Sequence, residues 1–134
     1  MSSITTRRAS AILVLAAALT AAPALTAAPA QAKGGNPAVQ TRGACAGGGT
    51  WKLKAKHDDN RIEIEYEVDT NHPGQVWRVA LSDNNHRIFL GNRRTTAPSG
   101  SFTVHILTAN RAGADVIRAR ATLGPRSCAG SVRL

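Results

Sequence analysis

Beyond residue 50, apolar and polar side chains alternate almost one for one. That is the period of an extended strand with one buried face. Thr50–Lys56 sets Trp51, Leu53 and Ala55 against Lys52, Lys54 and Lys56. Arg61–Asp69 sets Ile62, Ile64, Tyr66 and Val68 against Glu63, Glu65, Glu67 and Asp69. Between them, His57-Asp58-Asp59-Asn60 has turn composition. A hairpin closed there puts Lys56 opposite Arg61, Lys54 opposite Glu63 and Lys52 opposite Glu65. On its other face it pairs Leu53 with Ile64 and Trp51 with Tyr66. One register then sorts apolar from charged residues on both strands.

The same alternation continues. Gln75–Ser82 carries Trp77, Val79 and Leu81 against Arg78 and Ala80, after a turn at Asn71-His72-Pro73-Gly74. Asp83-Asn84-Asn85 turns into a short strand, His86–Leu90, and Gly91–Gly100 reads as loop. Ser101–Thr108 carries Phe102, Val104 and Ile106, and Asn110–Ala114 is a corner. Val116–Leu123 sets Ile117, Ala119, Ala121 and Leu123 against Arg118, Arg120 and Thr122. Gly124-Pro125-Arg126 turns into Ser127–Leu134, with Val132 and Leu134 opposed to Arg133. No stretch after residue 33 has a helical period. Seven strands in about 90 residues, with turns at this spacing, predict an all-β, seven-stranded antiparallel sandwich over residues 43–134.

The N-terminus differs in kind. Met1–Arg8 holds two arginines and no acid, Ala9–Leu19 is small and apolar throughout, and a Pro/Ala-rich stretch ends in Ala30-Gln31-Ala32. This is the charged, apolar and cleavage-site order of a secretory signal peptide over residues 1–32. An apolar run of about 11 residues is too short to span a bilayer, which takes roughly 20. No cysteine stands at the cleavage site to carry a lipid. The expected product is secreted and extracellular and begins near Lys33, with residues 33–42 as a flexible, polar leader. Arg7-Arg8 leaves twin-arginine export open beside the general secretory route.

Cys45 and Cys128 lie near the two ends of the expected domain, and in an oxidising compartment two cysteines form one bridge. In the chain-entropy account, closing so long a loop stabilises by about 4 kcal/mol. Two cysteines without histidines at ligand spacing do not make a metal site. The formal net charge is +9, and it is unevenly distributed. Residues 33–69 are balanced, with six basic and six acidic side chains. Residues 70–134 hold nine arginines, no lysine, and only Asp83 and Asp115 as acids. Such an excess suits an anionic partner, although an Arg-rich composition also follows from a GC-rich genome.

Several runs carry a resemblance. Asn110–Ala121 (NRAGADVIRARA) is similar to the N-x-A-G-x-D-x-I-x-A-x-A run of bacterial immunoglobulin-like modules, and Trp77 with Val79 and Leu81 suits their third strand. Cys45 with Trp51, Glu67-Val68-Asp69 and Ser99–Val104 (SGSFTV) resemble small secreted actinobacterial proteins of unassigned function. The resemblance covers about residues 42–134. It implies an immunoglobulin-like or fibronectin-III-like sandwich and no particular activity. The central inter-sheet disulfide of antibody domains is missing, since both cysteines sit at the ends.

The chemistry follows from these positions. No G-x-S-x-G elbow accompanies the serines and histidines, and His105 falls on the face opposite Phe102, Val104 and Ile106, so no enzyme activity and no cofactor are expected. Asp58-Asp59-Asn60 lacks the alternating ligand spacing of a calcium loop and reads as turn chemistry. Asp115 reads as a hydrogen-bond acceptor or arginine partner at its corner. In an immunoglobulin-like topology the strands of Arg78, Arg118, Arg120 and Arg133 share one sheet, and all four point outward. Arg87 joins them, beside an outward Phe89. Planar guanidiniums bind phosphate and carboxylate bidentately. The expected partner is therefore an anionic cell-wall polymer or an acidic protein. Nucleic acid fits less well, because stacked aromatics are few. The alternative is a protease inhibitor presenting Arg93-Arg94 on the loop Gly91–Thr96.

Overall fold

The computed structural model describes residues 36–134, and the signal-peptide reading of residues 1–32 lies outside them. Eight strands are present: β1 (Val39–Ala44), β2 (Thr50–Asp58), β3 (Arg61–Asp69), β4 (Val76–Asp83), β5 (His86–Arg94), β6 (Ser101–Ala109), β7 (Val116–Leu123) and β8 (Arg126–Arg133). They form two antiparallel four-stranded sheets, in the orders β1-β2-β3-β6 and β5-β4-β7-β8. Eight strands replace the seven expected. The additional one, β1, takes in Val39–Arg42, which the sequence reading assigned to the leader. It pairs along β2 from Val39 opposite Ala55 to Ala44 opposite Thr50.

The core lies between the sheets and is filled by the inward residues of each strand. Leu53, Ile62, Ile64, Tyr66, Val68, Trp77, Val79, Leu81 and Ile117 are among its fully enclosed side chains. Within their sheet, the small Ala121 and Ala119 of β7 lie opposite Val79 and Leu81 of β4, and all four belong to the buried core. The Tyr66 hydroxyl crosses from β3 to the other sheet and donates to the Cys128 carbonyl at 2.7 Å. The Cys45–Cys128 disulfide closes the same margin, joining the residue after β1 to β8. Trp51 packs across it as well. A Cβ on Gly43 would approach the indole to 2.9 Å, and one on Gly130 would overlap it.

The β2–β3 hairpin has a different register from the expected one. Strand β2 runs on to Asp58, opposite Arg61, and the turn contains only Asp59 and Asn60. Asp59 takes φ 53°, a left-handed conformation that aspartate tolerates. The shorter turn slides the pairing by two residues, so Lys56 faces Glu63, Lys54 faces Glu65 and Lys52 faces Glu67. A two-residue slide keeps every side chain on its face, which is why the core assignment survives the change.

Strand β5 brings two further corrections. A bulge between Leu81 and Ser82 of β4 leaves Leu81 opposite Phe89 and Ser82 opposite Arg87, with Ile88 as the extra residue. Phe89 therefore turns toward the core, not outward, and Leu90 is exposed in its place. The strand also extends through Arg94, with Arg93 opposite Trp77 and Arg94 opposite Val76. Arg93 and Arg94 thus belong to a paired strand rather than a projecting loop.

Trp77 is wholly enclosed, its Nε1 donates to Gln75 Oε1 at 3.3 Å, and the Arg126 guanidinium lies 5.1 Å over its ring. Trp77→Ala should therefore cost about 3–5 kcal/mol, enough to unfold a domain of ordinary stability. Thermal or denaturant unfolding measures this, and an unchanged midpoint would contradict the assignment of Trp77 to the core.

Candidate anion-binding face

The outer face of β5-β4-β7-β8 is built by alternation from strands whose inward positions fill the core. Register places its side chains in rows. Arg87, Ser82, Arg118 and Ser131 lie across one row, and Leu90, Ala80, Arg120 and Ala129 across the next. Arg78 lies one row beyond Ala80, opposite Thr122, and Arg133 lies opposite Val116 at the other end. All five arginines are exposed. Hydrogen-bonded strands lie about 4.8 Å apart, so Arg87 and Arg118 are separated by roughly 10 Å; Arg118 and Arg120, two residues apart, by roughly 7 Å.

Three of them converge. Arg87, Arg118 and Arg120 line a shallow groove of about 620 Å³ whose floor is made of Ala80, Ser82, Ala129, Gly130 and Ser131. Small side chains on β4 and β8 form this depression between the longer guanidinium stems. Arg118 Nη1 donates to Asn85 Oδ1 at 3.2 Å, which draws the side chain toward the β4–β5 turn. Arg78 and Arg133 share the face but not the groove lining. Sequence reasoning missed Ser82, Asn85 and Ser131, which add hydroxyl and amide groups to the site. Their signal was present in the outward parity of Ser82 and Ser131, and in the Asn84-Asn85 pair. Both asparagines take positive φ (46° and 69°), as a two-residue hairpin turn of the primed type requires.

No carboxylate answers these arginines on this face. Asp83 and Asp115, the only acids after residue 70, are both fully buried. Burial pushes the Asp83 carboxyl above the ordinary aspartate value, and the neighbouring Asp115 raises it further. Asp115 does not pair with an arginine as expected. Its backbone N–H donates to the Leu134 carbonyl, and its side-chain oxygens have no hydrogen-bond partner among the described residues.

The other sheet is electrostatically opposite. Lys52 Nζ lies 2.7 Å from Glu67, Lys56 Nζ lies 2.7 Å from Glu63, and His105 Nε2 lies 2.8 Å from the other Glu63 oxygen. These exposed pairs neutralise their own face and contribute little stability. The lysine ammonium and the histidine beside it hold the Glu63 carboxyl down at about 2.

The two arginines of the inhibitor alternative are engaged locally. Arg93 stacks over the Phe89 ring at 4.6 Å, and Arg94 Nη1 donates to the Gly74 carbonyl at 2.9 Å. The segment that carries them is an edge strand of its sheet. Asp58 and Asp59 belong to the hairpin end and turn, consistent with turn chemistry. No protein-family model, curated protein or solved structure matches this chain.

The Glu63 cluster makes a pH prediction. A carboxyl held below its unfolded value contributes stability that is present above about 4.5 and lost as pH falls toward about 2. An NMR titration should place the Glu63 midpoint near 2, and Lys56→Gln should return it toward the usual glutamate value. An unperturbed wild-type midpoint would show that these pairs do not persist in solution.

Proposed function

We propose that this protein is an exported, non-catalytic binding module that holds an anionic polymer of the cell envelope on its arginine face. The observation that carries the reading is the convergence of Arg87, Arg118 and Arg120 on one groove, on a sheet face without a carboxylate. Arginines whose backbone positions lie roughly 7–10 Å apart suit repeated charges along an extended chain better than one small anion. The aromatic side chains pack in or against the core. Base stacking is then not offered, which favours a phosphate- or carboxylate-bearing polymer or an acidic protein over nucleic acid.

Export is supported by the charged, apolar and small-residue order of residues 1–32 and by the Cys45–Cys128 disulfide. Among the described residues no helix is long and apolar enough to cross a membrane. The non-catalytic reading is supported by the engagement of three of the four histidines. His105 pairs with Glu63, His72 Nδ1 lies 2.7 Å from the Thr70 carbonyl, and His57 lies beside Asn110. An immunoglobulin-like or fibronectin-III-like build, and the likeness to small secreted actinobacterial proteins, belong to the same proposal. Strand order supports the build. With β1 set aside, the first, second and fifth strands group together, and the third, sixth and seventh form the other sheet with the fourth. That is the A-B-E and C-F-G grouping of those sandwiches.

The test is retention on an immobilised inorganic polyphosphate at low salt. Binding should weaken steeply as salt is added, because each neutralised phosphate releases counterions. Arg118→Gln with Arg120→Gln should reduce affinity about tenfold or more, and Arg42→Gln with Arg61→Gln, on the other sheet, should change it about twofold or less. The fold should survive the first pair of changes, since β7 keeps Ile117, Ala119 and Ala121 in the core. Equal losses from both double variants would mean diffuse attraction, and no retention of the wild type would overturn the reading.

A further inference from the structure

Asp83 and Asp115 sit where apolar residues would be expected. Asp83 continues the inward series Trp77, Val79 and Leu81 of β4, and Asp115 precedes the inward series Ile117, Ala119 and Ala121 of β7. β4 and β7 are hydrogen-bonded neighbours with Asp83 opposite Ile117. Asp115 therefore falls one inward step beyond Asp83 on the adjoining strand, and the two carboxyl groups stand together at one end of the sandwich. Both residues are 0% exposed, and all four carboxylate oxygens lack a hydrogen-bond partner among the described residues.

The polar groups around them are committed elsewhere. Asn84 Oδ1 accepts from Val116 N at 3.0 Å, Asn84 Nδ2 donates to the Ala114 carbonyl at 3.0 Å, and the Asp115 and Leu134 backbones bond to each other. Arg111 and His86 are the basic side chains in electrostatic reach of Asp83, and neither forms an ion pair with it. Two like charges enclosed without donors are strongly unfavourable. One shared proton would satisfy only the oxygens that it joins and leave the others buried. A hard divalent cation attracts both carboxylates and accepts oxygen ligands on several sides. Calcium in particular tolerates irregular sets of carboxylate, carbonyl and water oxygens.

We propose that Asp83 and Asp115 are the side-chain ligands of a calcium-class divalent cation, bound where the β4–β5 turn meets the start of β7. Water and the second lone pairs of nearby backbone carbonyls complete the coordination. The cation ties that turn to β7 at the end of the core. With two carboxylates the site is weak, in the roughly 0.1–1 mM range of extracellular calcium modules. It rests on the aspartate pair alone and stands independently of the arginine face.

The experiment is thermal unfolding of the protein at neutral pH in EDTA, then with calcium added. About 10 mM calcium should raise the wild-type midpoint by about 5 °C or more. Magnesium, which demands stricter octahedral geometry, should act more weakly. Asp83→Asn and Asp115→Asn should each abolish the rise. Arg111→Gln removes a nearby positive charge and should preserve or strengthen it. Should the aspartate variants fail to fold, amide NMR of the wild type decides: calcium should shift Asn84, Asp115 and Val116 and leave the Asp58–Asn60 turn unmoved. A wild-type midpoint indifferent to calcium would overturn the proposal. So would a rise that persists in both aspartate variants, or calcium shifts confined to Asp58–Asn60.

Discussion

An extended strand turns every second side chain away from the core, and closing two sheets on one apolar layer leaves no freedom about which ones. Once Trp77, Val79 and Leu81 face inward on β4, Arg78 must face solvent; once Ile117, Ala119 and Ala121 face inward on β7, Arg118 and Arg120 must too. The tightness of the layer enforces this. Trp77 and Tyr66 are wholly enclosed, and Trp51 lies against Gly130 where a methyl group would overlap it. The Tyr66 hydroxyl and the Cys45–Cys128 bridge then hold one margin of the two sheets together. A slipped strand would expose part of this layer and bury a charge, so core packing also positions the outer charges.

The two outer faces use this constraint differently. On the sheet of β1, β2, β3 and β6, lysines and glutamates oppose one another across β2 and β3, and Lys52–Glu67 and Lys56–Glu63 cancel within contact distance. On the other sheet the outward positions of β4, β5, β7 and β8 carry arginine, serine and alanine beside Val76, Leu90, Asn92 and Thr122, and the two available acids are turned inward. Small residues between the arginines keep the surface concave. The positive potential above this shallow groove is therefore not cancelled by neighbouring side chains. Asn85 links this face to the end of the core, because the turn that holds Arg118 begins directly after Asp83.

Much of this was legible in the sequence because parity is robust. The β2–β3 register differs by two residues from the expected one, yet no side chain changes face, and the arginines of β4, β7 and β8 stand outward on one sheet as alternation requires. What parity cannot resolve is where the count of residues changes. The bulge beside Leu81 inserts Ile88 and returns Phe89 to the core, and no residue type in His86–Leu90 announces it. Strand β1 was hidden for another reason. VQTRGA has weak alternation and is held by pairing with the edge of β2, a long-range contact. The extension of β5 through Arg94 likewise depends on β4. The buried Asp83 was concealed by composition, since an acid before two asparagines reads as a turn, although its parity matches Leu81.

The most direct measurement is an amide NMR titration of the protein with a short inorganic polyphosphate at low salt. The account predicts saturable shifts concentrated at Arg87, Arg118, Arg120, Ser82 and Ser131, with Asn85 following through its bond to Arg118. The lysine–glutamate face should remain unperturbed, because Lys52 and Lys56 are already paired with Glu67 and Glu63 and Lys54 stands opposite Glu65. Shifts spread evenly over both sheets, or strongest on the lysine face, would contradict the claim that the unanswered arginines form one site.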